Sequence, residues 1–238
     1  MHTLGIGSIH DTISNSYIIA GLNFWTYNLL NPEKKKLVRD SLEIIDQRLI
    51  KRISFETKTH IKYLLQPPKA RELHSQYSSS SGDKNAEGTI PTFRFPRWYR
   101  CPNCWLLQRV KANSSENDSA LFCKSPIKFD PNRKGLTCSD RKNGTRMLPI
   151  RFVVACENGH IMDFPWIEWA HKDTKMCDNP ILFYKTSPRA SLASTSVLCY
   201  NCKSKPVHLS GVSSREANKN PLFNIFNDKC PGTSPWLG

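Results

Sequence analysis

Residues 151–177 read RFVVACENGHIMDFPWIEWAHKDTKMC, and this stretch decides the fold because it combines metal-binding side chains with large apolar ones. Its four candidate ligands, separated by three, ten and five residues, are Cys156, His160, His171 and Cys177. Two thiolates and two imidazoles can close a neutral, tetrahedral zinc site, with the neighbouring aromatic residues as a shield. The alternative is that Cys156 is a small core residue and that the histidines are ordinary polar residues.

Two C-x-x-C pairs flank this stretch, at residues 101–104 and 199–202. In a tight turn, Cys101 and Cys104 can grip one ion between them, which makes the spacing a strong metal signal. Cys123 and Cys138 are the nearest unassigned thiols and would complete an all-thiolate site with four ligands. A thioredoxin-like redox pair is the alternative, and the second C-x-x-C argues against it.

The second pair, Cys199 and Cys202, has Cys230 as its expected third ligand. No cysteine remains for the fourth position, so His208, a retained water or a residue beyond Gly238 would have to serve. The cysteines and histidines together predict two to three zinc ions.

The composition favours a protein that resides in a reducing compartment, the cytoplasm, and that binds a polyanion. Nine cysteines, an odd number, argue against a disulfide framework, and no apolar run reaches the roughly 18 residues that span a bilayer. We therefore expect a soluble protein with no membrane partner. The formal net charge of +14 stays positive even if every cysteine ionises around zinc, which favours contact with nucleic acid over a merely solvated cationic surface.

The first part of the chain predicts strand and helix. Residues 17–20 read as a strand, and Gly5 and Gly7 mark an earlier turn. Apolar residues recur at helical spacing from Pro32 to about residue 52, which predicts one helix. Its basic residues either form a solvated face or contact phosphates, and the candidates for such contacts are Lys34, Lys35 and Lys36.

Arginines and aromatic residues alternate just before the first C-x-x-C pair. Arg94, Arg97 and Arg100 are interleaved with Trp98 and other aromatic side chains, a mixture that can stack on bases and pair with phosphates. The alternative, slightly favoured, is a half-buried strand whose aromatic residues cover the metal site while its arginines face water.

These patterns together predict an α+β protein, with an N-terminal helix and strand subdomain followed by a zinc-ribbon-like cysteine-rich region. The expected boundaries are 1–75 for the α/β subdomain, 76–92 for a polar, serine-rich linker and 93–238 for the zinc-binding region. A catalytic zinc would need a nearby carboxylate, for which Asp163 and Glu168 are the candidates. Neither histidine has Glu two residues on, as a zinc deaminase requires, and a non-catalytic protein is expected.

Four segments carry a resemblance to a known family: FPRWYRCPNC at 95–104, FVVACENGHIMDFPW at 152–166, CYNC at 199–202 and KCPGTSPWLG at 229–238. In this order they resemble the DrmB family of the bacterial DISARM phage-defence system. DrmB-like proteins are usually much longer, so the chain looks like an N-terminal portion or a shortened relative. The resemblance implies a DrmA-like helicase as partner, assembly on DNA and no catalytic residues.

The function expected from the sequence is therefore a zinc-stabilised accessory subunit of an anti-phage defence helicase complex, contributing DNA binding and partner assembly. The alternatives are a protein-interaction scaffold that does not bind DNA and, third, a zinc hydrolase.

Overall fold

A computed structural model describes the greater part of the chain, namely residues 5–12, 15–25, 32–66, 90–110, 121–127, 136–186, 191–202, 205–213, 222, 225–226 and 229–238. Its helices are α1 (Pro32–Leu42), α2 (Gln47–Thr57) and α3 (Trp166–Ala170). Its strands are β1 (Ile9–Asp11), β2 (Ser16–Ile19), β3 (Thr92–Arg94), β4 (Trp98–Arg100), β5 (Leu106–Arg109), β6 (Phe122–Cys123), β7 (Thr145–Arg146), β8 (Leu148–Pro149), β9 (Val153–Ala155), β10 (Ile161–Asp163), β11 (Leu182–Lys185), β12 (Ser196–Cys199) and β13 (Val207–His208).

The chain divides into two compact units. The first unit comprises Met1–Ser8, Ile18–Phe93 and Trp236–Gly238, and the second comprises Ile9–Tyr17 and Arg94–Pro235. Most of the expected linker at 76–92 lies outside the described residues, so the predicted domain boundaries stay a prediction.

In the first unit, the expected turn is present near the start of the chain. Ser8 N–H donates to the Gly5 carbonyl at 3.0 Å, and Gly7 takes a φ of 77°, a left-handed conformation that favours glycine. Ile18 and Ile19, in β2, are buried as the predicted strand requires.

The prediction of one helix from residue 32 to about 52 is wrong, because the chain forms α1 and α2 with a break at 43–46. Ile44 N–H donates to the Leu64 carbonyl at 2.8 Å, so the backbone here pairs with a distant segment instead of extending the helix. The Asp46 carboxylate accepts the backbone N–H three residues on at 2.9 Å and caps the start of α2. Tertiary pairing and a cap therefore override the helical spacing.

The second unit is organised around a six-stranded antiparallel sheet in the order β13-β12-β11-β5-β4-β8. In its central pair, Leu182 of β11 lies opposite Leu107 of β5, and both side chains are buried. Two further antiparallel pairs, β9–β10 and β6–β7, belong to the same unit. Cysteines or histidines lie in or beside three of the turns that join these strands, so the strand pairing positions the ligands.

Two clusters of buried residues form the core of this unit. The larger cluster contains the apolar side chains of α3 and of β11 and β12, together with Cys199. The smaller one consists of Tyr99, Val110 and Met147 with four cysteines, namely Cys101, Cys104, Cys123 and Cys138. Helices and antiparallel strands thus coexist, as the α+β prediction requires, whereas the zinc-ribbon-like arrangement stays a prediction. Within the described part of the chain, no helix has both the length and the apolarity to cross a bilayer.

Candidate metal centres

The four-cysteine group consists of Cys101, Cys104, Cys123 and Cys138, whose sulfur atoms all lie within 4.8 Å of one another. Cys101 and Cys104 occupy the turn between β4 and β5, where Cys101 N–H donates to the Leu106 carbonyl at 2.8 Å. β6 supplies Cys123, and the chain between β6 and β7 supplies Cys138. The structure therefore brings together the four residues that the sequence spacing assigned to one site.

The sulfur separations in this group match a tetrahedral zinc site. Cys101 Sγ lies 3.5 Å from Cys138 Sγ, and Cys104 Sγ lies 3.6 Å from Cys123 Sγ. A disulfide bond would need about 2.0 Å, so the thiols are free. With Zn–S bonds of about 2.3 Å, tetrahedral geometry places sulfur atoms about 3.8 Å apart. The group is thus close to the size that one zinc ion requires.

The electrostatics of Cys101, Cys104 and Cys123 indicate that a cation is needed to ionise these three thiols together. Hydrogen bonds from Cys104 and Cys123 lower the pKa of Cys101 to about 2. The same contact with Cys101 raises the pKa of Cys104 and raises that of Cys123 to about 12. One thiolate is therefore stabilised by neighbours that remain protonated, and a bound divalent ion would displace their protons.

The mixed group contains one imidazole and three thiols: His171, Cys177, Cys199 and Cys202. His171 caps the C-terminus of α3, Cys199 is the last residue of β12, and Cys202 lies in the turn that follows. His171 Nε2 is 3.3 Å from Cys202 Sγ and 3.8 Å from Cys177 Sγ, and the Cys177 and Cys199 sulfur atoms are 3.7 Å apart. These separations also fit the edges of a zinc-centred tetrahedron.

A backbone hydrogen bond fixes the tautomer of His171. Its Nδ1 lies 2.7 Å from the Ile167 carbonyl, which can only accept, so Nδ1 carries the proton. The lone pair of Nε2 is therefore directed at the three sulfur atoms. Such a bond on the second ring nitrogen is the usual way in which a protein orients a metal-binding histidine.

The thiols of the mixed group differ in acidity. Burial raises the pKa of Cys199, but hydrogen bonds from the backbone N–H of Cys202, from Ile181 and from the Cys177 thiol outweigh it and lower the pKa to about 7. The hydrogen bond with Cys177 raises the pKa of Cys202 to about 12. Cys199 therefore ionises more readily than Cys202.

Aromatic side chains form the core beside the mixed group, as the sequence predicted for the central stretch. Phe164 packs on Trp166 with ring centroids 4.4 Å apart and on Trp169 at 5.3 Å, and Trp166 meets Tyr184 edge to face at 5.5 Å. Cys199 belongs to the same buried cluster. The aromatic residues thereby exclude water from one side of these ligands.

The three-ligand group is Cys156, His160 and Cys230. Cys156 and His160 flank the turn of the β9–β10 hairpin. The Cys156 N–H closes this turn by donating to the His160 carbonyl at 3.1 Å. His160 Nδ1 lies 3.4 Å from Cys156 Sγ and 3.6 Å from Cys230 Sγ. Burial raises the pKa of Cys156, but hydrogen bonds from Cys230 and from the backbone of the turn lower it to about 7.

The sequence grouping of the central stretch is wrong, because the structure divides its four ligands between two groups. Cys156 and His160 join Cys230, whereas His171 and Cys177 join Cys199 and Cys202. The ten residues between the two histidines form β10 and α3, and this helix carries His171 to the end of β12. The prediction of Cys230 as the third ligand beside Cys199 and Cys202 is therefore also wrong. His171 and Cys177 take the third and fourth positions, and the exposed His208 is not among the ligands.

Two residues predicted to contact nucleic acid, Arg97 and Trp98, instead contact other residues of the second unit. Trp98 is 7 % exposed and belongs to the core, so its ring cannot stack on a base. Arg97 is held by Asp163, whose carboxylate accepts the Arg97 backbone N–H at 2.8 Å and the guanidinium Nε at 3.0 Å. Arg109 also approaches this carboxylate, at 3.6 Å. Asp163 thus joins β10 to Arg97, the residue that precedes β4.

The other predicted contacts differ in exposure. Arg94 is half-buried with its guanidinium 5.8 Å from the Tyr99 ring centroid, and Arg100 is also half-buried. Lys36, in α1, is exposed, whereas the side chains of Lys34 and Lys35 lie outside the described residues. For these positions DNA contact stays a prediction.

The sequence analysis did not predict the antiparallel pair formed by β6 and β7. Phe122 is 48 % exposed and faces Arg146 across the two strands. Lys124, Arg141 and Lys142 beside it are also exposed. The detectable signal was the cluster of basic residues around Cys123 and Gly144, to which the sequence analysis assigned no role.

Gly144 offers a test of the four-cysteine group. Its φ is 69°, and a Cβ added there would lie 2.5 Å from the Cys123 carbonyl oxygen. We expect Gly144→Ala to displace Cys123, to release one zinc ion and to lower the unfolding free energy by more than about 3 kcal/mol. Thermal denaturation and zinc content measured by mass spectrometry check this.

Gly159→Ala is the matched control, since Gly159 has a φ of 79° and nothing within 4 Å of the added Cβ. Its cost should be the left-handed backbone strain alone, about 1–2 kcal/mol. Equal losses of stability and zinc from both variants would contradict a special role for the space beside Cys123.

Comparison with known proteins places the chain in a family. A family described as "Domain of unknown function (DUF8724)" matches residues 1–238. The protein is also 28% identical over 228 residues to the DISARM protein DrmB of Bacillus paralicheniformis (strain ATCC 9945a / NCIMB 11709 / CD-2). That alignment covers 94% of this chain and 31% of the relative, so the chain spans about a third of the relative's length. The chain belongs to the DUF8724 family and is a relative of DrmB.

Proposed function

We propose that this protein is a zinc-stabilised, non-catalytic component of a bacterial DISARM anti-phage defence complex, in which it contributes DNA binding and assembly with a DrmA-like helicase. The observation that carries the proposal is the similarity to the DISARM protein DrmB over 94% of the chain. The ligand groups and the basic surface support it independently, because they supply a means of folding and a means of holding DNA.

The metal part of the proposal rests on donor chemistry. Thiolates and imidazoles at tetrahedral separations are the ligands that zinc prefers, and four-ligand sets without an open position are typical of structural sites. The four-cysteine and mixed groups have this composition and are largely buried. Zinc in these two groups therefore acts by holding strand turns and helix ends together.

The DNA part of the proposal rests on the antiparallel pair of β6 and β7 and its flanks. This segment carries an exposed aromatic side chain, Phe122, which lies opposite Arg146 in the strand register. It also carries four exposed cations, namely Lys124, Arg141, Lys142 and Arg146. Cations of this kind neutralise phosphates, while an aromatic face can stack on an unpaired base. This surface replaces Arg97 and Trp98 as the expected nucleic-acid contact.

Partner assembly is supported by apolar side chains exposed on the first unit. Ile45 is 86 % exposed and Phe55 is 85 % exposed, and the helix α2 that carries Phe55 contains no buried residue among those described. Leu49, which is 42 % exposed, lies on the same helix as Phe55. Large exposed apolar residues on one helix are typical of a surface that another protein covers. A scaffold without DNA binding would use this surface alone.

The DNA-binding proposal is tested with the triple variant Lys124→Gln, Arg141→Gln and Lys142→Gln. We expect this variant to bind a fluorescein-labelled DNA more weakly, as measured by fluorescence anisotropy. The slope of log affinity against log salt concentration should become shallower by about 0.7–0.9 for each lost phosphate contact. The control variant removes the same charge elsewhere, by changing the exposed Lys51, Lys62 and Lys205 to Gln. Equal loss in both variants would indicate a diffuse charge effect, and negligible affinity of the unchanged protein at physiological salt would favour the scaffold.

A further inference from the structure

The three-ligand group differs from the other two in completeness and exposure. The four-cysteine and mixed groups each supply four donors, whereas among the described residues only Cys156, His160 and Cys230 converge here. Cys230 is exposed, while the four-cysteine group is buried throughout. Zinc sites with three protein donors keep a position for a water or another ligand, and two thiolates with one imidazole form one of the known sets.

The geometry of these three residues suits a metal ion. Both sulfur atoms lie within 3.6 Å of the same ring nitrogen, His160 Nδ1. The backbone N–H of Gly232 donates to Cys230 Sγ at 3.4 Å, which helps to fix the position of the sulfur. Thr233 holds this segment against the β10 strand, because its hydroxyl donates to the Ile161 carbonyl at 3.0 Å and its own carbonyl accepts Ile161 N–H at 3.1 Å.

A cavity of about 890 Å³ opens beside the group, and all three ligand residues line it. Much of the remaining wall is apolar, including Phe152, Val154, Met162, Leu192, Val212 and Phe226. This volume lies within the range of sites that bind small molecules, about 300–1,000 Å³. An ion held by the three residues would therefore border an apolar space.

The charges select the class of ligand. Two thiolates already neutralise a divalent zinc ion, so a further donor must be neutral or must bring a charge that the surroundings tolerate. Lys229 lines the same cavity and supplies a cation. Zinc accepts a third sulfur donor readily, as it does in Cys₃His sites.

We propose that Cys156, His160 and Cys230 form an open zinc site that binds a small apolar thiol, with the thiolate at the fourth coordination position and the apolar body in the adjoining cavity. This inference shares zinc binding with the proposed function, but it needs neither DNA nor a partner protein.

The test uses the full chain loaded with Co²⁺, whose absorption reports both coordination number and Co–S bonds, and the probe is 2-phenylethanethiol. The nine cysteines form nine Co–S bonds, and a bound thiolate adds a tenth. We therefore expect the intensity of the thiolate-to-cobalt charge-transfer absorption to rise by about one ninth and to saturate. The probe 2-phenylethanol has the same apolar body without the thiol and should leave the spectrum unchanged. Cobalt content after desalting should stay at three per chain.

The variant Val212→Trp tests the cavity, because the larger side chain fills part of it without changing a metal ligand. We expect this variant to retain three cobalt ions and to bind the thiol at least tenfold more weakly. Equal thiol binding in this variant would overturn the proposal, because the apolar body would then lie elsewhere. The proposal would also be overturned if the thiol left the spectrum unchanged while three cobalt ions were bound. A content of two cobalt ions per chain, or loss of cobalt when the thiol is added, would overturn it as well. None of these outcomes alters the DNA-binding measurement, so the two proposals fail separately.

Discussion

Complete removal of zinc with 1,10-phenanthroline is expected to unfold the second unit, with loss of its β-sheet circular dichroism and of its cooperative thermal transition. Binding of zinc to structural sites supplies about 10–16 kcal/mol of apparent free energy, whereas a whole domain is stable by only about 5–15 kcal/mol. Two four-ligand groups lie in the core of this unit. Metal content before and after chelation is measured by native mass spectrometry, and three zinc ions are expected at the start.

The control for chelation is the non-chelating isomer 1,7-phenanthroline, which should leave both the spectrum and the metal content unchanged. Adding zinc back should restore the folded signal. An unchanged dichroism spectrum after complete metal removal would show that the hydrophobic clusters alone hold the sheet, and the structural role of zinc would be wrong.

Cys138→Ser and Cys230→Ser should each remove one zinc ion but differ widely in stability. Cys138 is 0 % exposed and belongs to the smaller core cluster, so its loss leaves three buried thiols without their ion. We expect the free energy of unfolding to fall by more than about 4 kcal/mol, a size that marks loss of a metal site. Cys230 is exposed in a group with three described ligands, and its substitution should cost about 1 kcal/mol.

Thermal and urea denaturation, with metal content measured in parallel, compare these two matched substitutions. Equal destabilisation would contradict the division between structural and open sites. A Cys138→Ser protein that keeps three zinc ions would contradict the assignment of the four-cysteine group itself.

The sequence allowed correct prediction of ligands that lie close together along the chain. Elimination among the remaining cysteines was correct for the four-cysteine group but wrongly assigned Cys230 to Cys199 and Cys202. The C-x-x-C spacing identified Cys101 and Cys104 as neighbours, and elimination supplied Cys123 and Cys138. The grouping of His160 with His171 was wrong because sequence proximity says little once a strand and a helix intervene. Only the pairing of β11 with β12 and the position of α3 bring His171 to Cys199 and Cys202.

The surface residues were harder to predict for a related reason. Arg97 and Trp98 have the composition of a nucleic-acid contact, but their environment depends on which strands flank β4 and on where β10 places Asp163. The break between α1 and α2 likewise depends on a pairing with residue 64, about 20 positions away. Patterns in neighbouring residues do not contain this information.

Each of the three ligand groups joins a local pair to residues far along the chain. The pairs Cys101–Cys104, Cys199–Cys202 and Cys156–His160 each lie in or beside one turn between strands, whereas Cys138, His171 and Cys230 come from elsewhere. A local pair closes a short loop and loses little chain entropy, whereas a distant ligand closes a long one. The first contact with a metal ion therefore costs least at such a local pair. The distant donors follow the pair along the chain in the four-cysteine and three-ligand groups and precede it in the mixed group.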